Sequence, residues 1–185
     1  MTDFAHRIAT EADIPALVDL MDSAIAGPLA DFLSPDQIAA SRRLMGIDSQ
    51  IIADRSYFIV EADGVMAGCG GWSGRITEYG GDHTPGRVPT ALTPGVDAAR
   101  IRAMYTAPEF LRRGVGRQIL ALCETGAAAA GYDRAELVAT LGGEPLYRAA
   151  GYVEIERLKD DRGGAPVPLV RMGKRLDATK TAGAR

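Results

Sequence analysis

Tyr105-Thr106-Ala107-Pro108-Glu109-Phe110-Leu111-Arg112-Arg113-Gly114-Val115-Gly116-Arg117 is the stretch that decides the fold. It reads as a strand end, a proline stop, an arginine-flanked glycine turn and the opening of a helix. The free N–H groups of a helix's first turn converge with its dipole on an anion. Glycines let phosphate oxygens reach the backbone without meeting a Cβ, and Arg112, Arg113 and Arg117 add charge that a phosphate can use. The expected role is a pyrophosphate cradle. A bare Gly-x-Gly also marks ordinary tight turns, so the charge around it carries weight here. The Rossmann fingerprint fits worse, because its third glycine would fall at Ile119, and no Gly-Lys-Ser/Thr of a Walker loop occurs.

That charge stands out against the rest of the chain. Across 185 residues the formal net charge is −3, which gives no general reason to expect nucleic-acid binding. Residues 1–36 carry seven acids and one base, whereas residues 100–117 carry five arginines and one acid. The last fifteen residues are basic again, with five bases and one acid. The length suits a single domain with a sizeable core, and 46% hydrophobic residues place it among ordinary globular proteins. Cys69 and Cys123 lie far apart without a metal-type spacing, and are expected to be small buried hydrophobes. His6 and His83 lack ligand spacing, so no metal is expected. No apolar h-region opens the chain, and no apolar run approaches the roughly 18 residues of a membrane span. The expectation is a cytoplasmic protein, with neither membrane nor nucleic acid as partner.

Working outward, Ala98–Thr106 alternates Ile101, Ala103 and Tyr105 against Arg100, Arg102 and Met104, as a strand does. After the glycine turn, Val115, Ile119, Leu122, Cys123 and Gly126 fall on one helical face, and Gly131 closes that helix. Upstream, residues 6–10 read as a strand. Thr10 and Asp13 then form a capping box for a helix carrying Ile14, Leu17, Val18, Met21 and Ile25 on its buried stripe, ended by Gly27-Pro28. Ser34-Pro35-Asp36 opens a second helix towards Ile51 or Ile52, which Gly46 divides in one reading. Residues 57–62 and 65–72 are strands joined by Asp63-Gly64. The second is rich in glycine (Gly68, Gly70, Gly71), which marks either a ligand wall or tight helix-on-sheet packing. Residues 74–97 form a long aperiodic stretch of the kind that is often functional. Glu136–Thr140 is a short central strand, Pro145–Ala150 a short helix closed by Gly151, and 152–158 and 167–172 the last strands. The expected class is a mixed α/β domain over 1–176, with about seven strands in a mostly antiparallel sheet, about four helices, and a flexible tail at 177–185.

Two segments together resemble a known family. The strand–proline–turn–helix segment is similar to motif A of the GNAT (GCN5-related N-acetyltransferase) superfamily, whose pattern is Q/R-x-x-G-x-G/A. The segment Glu136-Leu137-Val138-Ala139-Thr140-Leu141-Gly142-Gly143-Glu144-Pro145-Leu146-Tyr147-Arg148-Ala149-Ala150-Gly151-Tyr152 resembles its later strand–helix signature, F-Y-x-x-x-G-F/Y. Leu146 and Tyr147 match the F-Y pair, and Gly151 with Tyr152 the close. The order of elements resembles the whole GNAT fold over about residues 5–176.

The resemblance implies an acetyl-CoA-dependent N-acyltransferase that moves an acetyl group to a primary amine of a small molecule or protein by direct attack on the thioester. It places backbone groups of Met104, Tyr105 and Thr106 along the pantetheine arm. The amides of Arg112, Arg113, Gly114, Val115, Gly116 and Arg117 would lie on the pyrophosphate, and Tyr147 would be the acid that protonates the departing thiolate. A phenol of pKa near ~10 is protonated at neutral pH and suits that task. Two positions depart from the family pattern. Leu111 stands where motif A has Gln or Arg, with Arg112 and Arg113 beside it to compensate, and Thr140 stands where many members have Asn. Glu78, Asp82, His83 and Glu144 are candidates for a general base by position, a water relay being the alternative. Trp72, Tyr79 and Glu78 are expected to contact the acceptor. Many such domains dimerise, so a homodimer is a further expectation. The competing function is a non-catalytic acyl-CoA binding or sensing domain.

Overall fold

Apolar alternation and tight turns lay down one sheet. Its strands are β1 (Phe4–Ile8), β2 (Tyr57–Ala62), β3 (Val65–Ser73), β4 (Ala99–Thr106), β5 (Arg134–Thr140), β6 (Val153–Asp160) and β7 (Val167–Arg175), in the spatial order β1-β2-β3-β4-β5-β7-β6. The computed structural model describes residues 4–88 and 90–177, so all of the expected tail but Asp177 lies outside the described residues. Every neighbouring pair is antiparallel except β4 and β5, which run parallel. Asp63 and Gly64 both take positive φ (50° and 77°), the paired left-handed turn that suits the twist of a two-residue hairpin.

Among the described residues five α-helices cover the sheet: α1 (Ile14–Ala26), α2 (Pro35–Leu44), α3 (Ser49–Ala53), α4 (Val115–Ala129) and α5 (Glu144–Ala149). The fifth arises because the helix begun at Ser34 stops at Leu44. The Thr84 hydroxyl and the Gly81 N–H both donate to the Leu44 carbonyl (2.7 and 3.1 Å), and the Asp48 carboxylate then caps α3 by accepting from Gln50 N–H. The expected box before α1 forms, with the Asp13 carboxylate accepting from Thr10 N–H at 2.8 Å. The one before α2 forms as well, Ser34 and Gln37 bonding reciprocally.

The sheet buries a core on each face. On one, Val115, Ile119, Leu120, Cys123 and Ala127 of α4 pack on Ile101, Leu137, Val170 and Met172. On the other, Leu17, Leu20, Met21 and Ile25 of α1, with Ile51 and Ile52 of α3, pack on Tyr57, Ile59 and Cys69. Two stripe assignments are corrected here: Val18 is exposed while Leu20 is buried, and Leu120 takes the deep position expected for Leu122, which is half-buried. The glycines of β3 are explained by packing. A Cβ on Gly68 would stand 2.6 Å from Val115 Cγ1, and one on Gly70 2.6 Å from Ile119 Cγ2, so α4 rests on bare backbone. Both cysteines are unpaired and buried, and burial pushes the Cys69 thiol up to about 12.

Candidate active site

β4 departs from regular alternation, and that departure opens the site. Across β3 and β4 the register runs from Cys69↔Tyr105 to Gly71↔Arg102, so Gly70 alone faces both Ala103 and Met104. This is a β-bulge, with Ala103 at φ +50° and its carbonyl accepting from the buried Tyr57 hydroxyl at 2.8 Å. The extra residue splits the expected face. Ile101 and Met104 pack on the α4 side, whereas Ala103 and Tyr105 belong to the α1 side, and Arg102 is buried. β4 and β5 therefore pair only at Ala99↔Ala135 and Arg100↔Glu136, then part.

A cavity of about 780 Å³ fills the gap between them. It is lined by Ile101 to Thr106 from one strand and Leu137 to Thr140 from the other. Beyond Arg100 the facing edge of β4 has no strand partner among the described residues, so its backbone polar groups are open to a ligand. Met104, Tyr105 and Thr106, the expected pantetheine residues, all line it.

At one end the turn before α4 closes the cavity. Arg112 and Gly114 both hold left-handed backbone (φ 61° and 93°), turning successive N–H groups into a concave nest at the helix N-terminus. The first intrahelical donor is Gln118 N–H, to Gly114 O at 3.0 Å, so the amides of Val115, Gly116 and Arg117 have no intrahelical acceptor. A Cβ on Gly114 would meet nothing within 4 Å, which leaves room for a ligand there. Arg112, Gly114, Val115, Gly116 and Arg117 line the cavity. Arg113 does not, since its guanidinium lies over the Phe110 ring at 5.0 Å. Leu111, at the departed motif position, lines the cavity as an apolar group, and Thr140 uses its hydroxyl to accept from Gly143 N–H at 3.2 Å, capping the turn into α5.

Tyr147 lies on α5, buried, with its hydroxyl donating to Met104 Sδ at 3.6 Å and its ring set edge-on to Tyr152. Burial pushes its phenol above the ordinary range, so the hydroxyl keeps its proton. Of the four candidate bases, Glu78 alone lines the cavity. Asp82 pairs with Arg87 at 2.8 Å and accepts from Ser49 N–H, His83 packs against Gly46, and Glu144 is held by Arg148 and Arg157. Tyr79 lines the cavity, but Trp72 does not: it fills the space over Gly126, with its ring against Tyr132 at 6.0 Å. Sequence reasoning missed Ile25, Leu29, Phe32 and Met45, which also line the cavity, because helix periodicity reports burial and not what lies opposite. It also missed Arg102 as a buried ion, read only as the outward face of a strand. Among the described residues, no three His, Cys, Asp or Glu side chains are grouped to hold a metal, and no helix is long and apolar enough to cross a membrane.

Comparison with known proteins agrees with this architecture. A structure of a GCN5-related N-acetyltransferase from Rhodopseudomonas palustris is similar at TM-score 0.72 and 20% identity, over 95% of this chain and 98% of that one. The PaiA N-acetyltransferase from Thermoplasma acidophilum, in complex with coenzyme A, is similar at TM-score 0.61 and 14% identity, over 94% and 99%. YncA from Salmonella typhimurium, with its cofactor acetyl-CoA, is similar at TM-score 0.62 and 15% identity, over 94% of each. At such identities these likenesses establish the fold. A comparison with curated proteins by sequence gives no match. The model of the acetyltransferase (GNAT) domain family matches residues 53–154, more than half of the chain and the whole span from β2 through α5 to the start of β6. The chain belongs to the GNAT acetyltransferase family.

Proposed function

We propose that the protein is an acetyl-CoA-dependent N-acyltransferase acting on a primary amine in the cytoplasm. The observation that carries this reading is the continuous cavity between the parted strands, with an amide nest at one end and a buried, protonated tyrosine beside it. The residues present fit a coenzyme A. The Gly114 nest and the first turn of α4, with Arg112 and Arg117, would hold its pyrophosphate, and the unpaired edge of β4 at Met104–Thr106 its amide-bearing arm.

The thioester supplies the acyl group: a C–N bond forms, a C–S bond breaks, the amine releases a proton and the thiolate takes one. Tyr147 holds a proton on its Oη inside the cavity, because its buried site disfavours the phenolate, and so serves as the acid. Backbone N–H groups freed by the bulge at Ala103 suit the oxygen on which charge develops. Glu78, the carboxylate on the cavity wall, is placed to accept from an incoming amine. Two buried free thiols are in keeping with a reducing compartment.

A non-catalytic sensor would bind the cofactor without need of a proton donor. Thiol release from acetyl-CoA over a panel of amines distinguishes the two: turnover on an amine supports the enzyme, and tight cofactor binding with silence across the panel supports the sensor.

A further inference from the structure

One part of the cavity lining has a composition of its own. Its walls are Ile25 from α1, Leu29 and Phe32 from the connection to α2, Met45, and Tyr79 from the 74–97 stretch. Phe32 is 49% exposed, and its ring reaches Gly142 in the turn after β5: a Cβ there would lie 3.2 Å from two ring carbons. One aromatic ring thus spans from the α1–α2 connection to the β5–α5 turn. An exposed aromatic beside other apolar side chains gains by being covered.

One carboxylate lines the cavity among the described residues, that of Glu78. Its Oε2 accepts from Arg171 at 2.6 Å, while Oε1 stands 3.9 Å from Arg100 Nη2, beyond hydrogen-bond length. Arg171 is shared with Glu156 at 2.6 Å, and Arg100 is paired with Glu136. Two guanidinium groups therefore face three carboxylates, leaving one negative charge with Glu78 at the cavity end of the network. The other ionic group nearby is balanced. Arg102 pairs with the buried Asp48 and donates to Gly80 O at 2.8 Å, while Arg87 spans Asp48 and Asp82. Apart from the arginines of the cradle, the cavity offers a place for one cation, no second carboxylate for a polyamine, and no unbalanced arginine for an acidic acceptor.

We infer that the acceptor is a monoamine on an uncharged apolar body, an aryl- or alkylamine. Its nitrogen is received at Glu78 Oε1, and its body lies among Ile25, Leu29, Phe32 and Met45. The inference rests on the acyltransferase reading above.

The test is thiol release from acetyl-CoA with 2-phenylethylamine, hexylamine, spermidine, glutamate and a short peptide with a free N-terminus, with coenzyme A binding measured separately by calorimetry. The expected kcat/KM for the two apolar amines is roughly 100-fold above that for spermidine, glutamate or the peptide, the scale set by burying one apolar body. Phe32→Ala should raise KM for 2-phenylethylamine by about tenfold while leaving coenzyme A affinity unchanged. A preference for spermidine, glutamate or the peptide, an unaltered KM in Phe32→Ala, or silence towards all five with coenzyme A bound would overturn the inference and leave cofactor binding standing. Absence of coenzyme A binding removes the underlying reading and this one with it.

Discussion

The hydroxyl of Tyr147 on α5 stands 3.6 Å from the sulfur of Met104 on β4, joining the two sides of the gap where the parallel strands part. A thioether is a weak acceptor, so this proton is held loosely and is available to a stronger base. Tyr147→Phe keeps the ring and its packing on Tyr152 but removes the proton. It should lower kcat by about a hundredfold or more, with Tm and coenzyme A affinity nearly unchanged. Steady-state thiol release with saturating amine reads the difference, and unaltered turnover would remove Tyr147 as the acid.

Gly114 separates backbone strain from ligand space. A methyl there meets no atom within 4 Å, yet φ is +93°, so Gly114→Ala should cost about 1 kcal/mol of stability through backbone strain alone. Gly114→Glu places a carboxylate where the proposed cradle would receive phosphate, and should weaken coenzyme A binding more than about tenfold, worth roughly 1.4 kcal/mol. Calorimetry on both variants checks this; equal affinities for Ala and Glu would place the phosphates elsewhere.

Arg102 and Asp48 are both buried, with Asp48 also reached by Arg87 at 2.5 Å. Burial pulls the Arg102 pKa below its ordinary value, a cost that Asp48 opposes. Arg102→Leu leaves a buried carboxylate with one cationic partner, and should destabilise the protein by about 3 kcal/mol in urea unfolding. Adding Asp48→Asn to that variant should recover part of the loss, giving a cycle that is less than additive. Strict additivity would show that the two side chains are not coupled.

Acid stability has a named contributor. The Arg7 guanidinium holds the Asp13 carboxyl well below the usual carboxylate range, against the opposing effect of burial and with help from Thr10 N–H. A folded pKa below the unfolded value of about 3.9 means stability that is complete above that pH and lost progressively as pH falls from there through the lower folded value. Asp13→Asn should therefore show its largest Tm deficit near neutral pH, shrinking below about pH 4. A deficit constant down to pH 2 would contradict the pairing.

The nest was legible because every part of it is local: a strand end, a proline, two glycines and arginines within thirteen residues. The helix that carries Tyr147 was legible because Pro145 and Gly151 bound it, and their backbone requirements show in the sequence, whereas Tyr147 itself was singled out by the resemblance to the family's later signature. The bulge at Ala103 was not, since it depends on the Tyr57 hydroxyl reaching across from β2. Without the bulge, Ile101 and Tyr105 alternate onto one face; with it they serve opposite cores. Trp72 was misplaced for a related reason. An aromatic at the end of a glycine-rich strand suggested a binding wall, whereas Gly126 on α4, fifty-four residues later and invisible to local reading, opens the space its indole occupies. The proposed acceptor wall is assembled from four separate segments, so Glu78 drew notice by position while Phe32 drew none.

The most direct measurement is thermal unfolding of the full chain with and without acetyl-CoA. A ligand bound only to the native state stabilises it by an amount that grows with concentration, about 2.7 kcal/mol at a hundredfold excess over Kd. A concentration-dependent rise in Tm, abolished in Gly114→Glu, is the predicted result. An unchanged Tm at millimolar acetyl-CoA would contradict the assignment of the cavity to that cofactor.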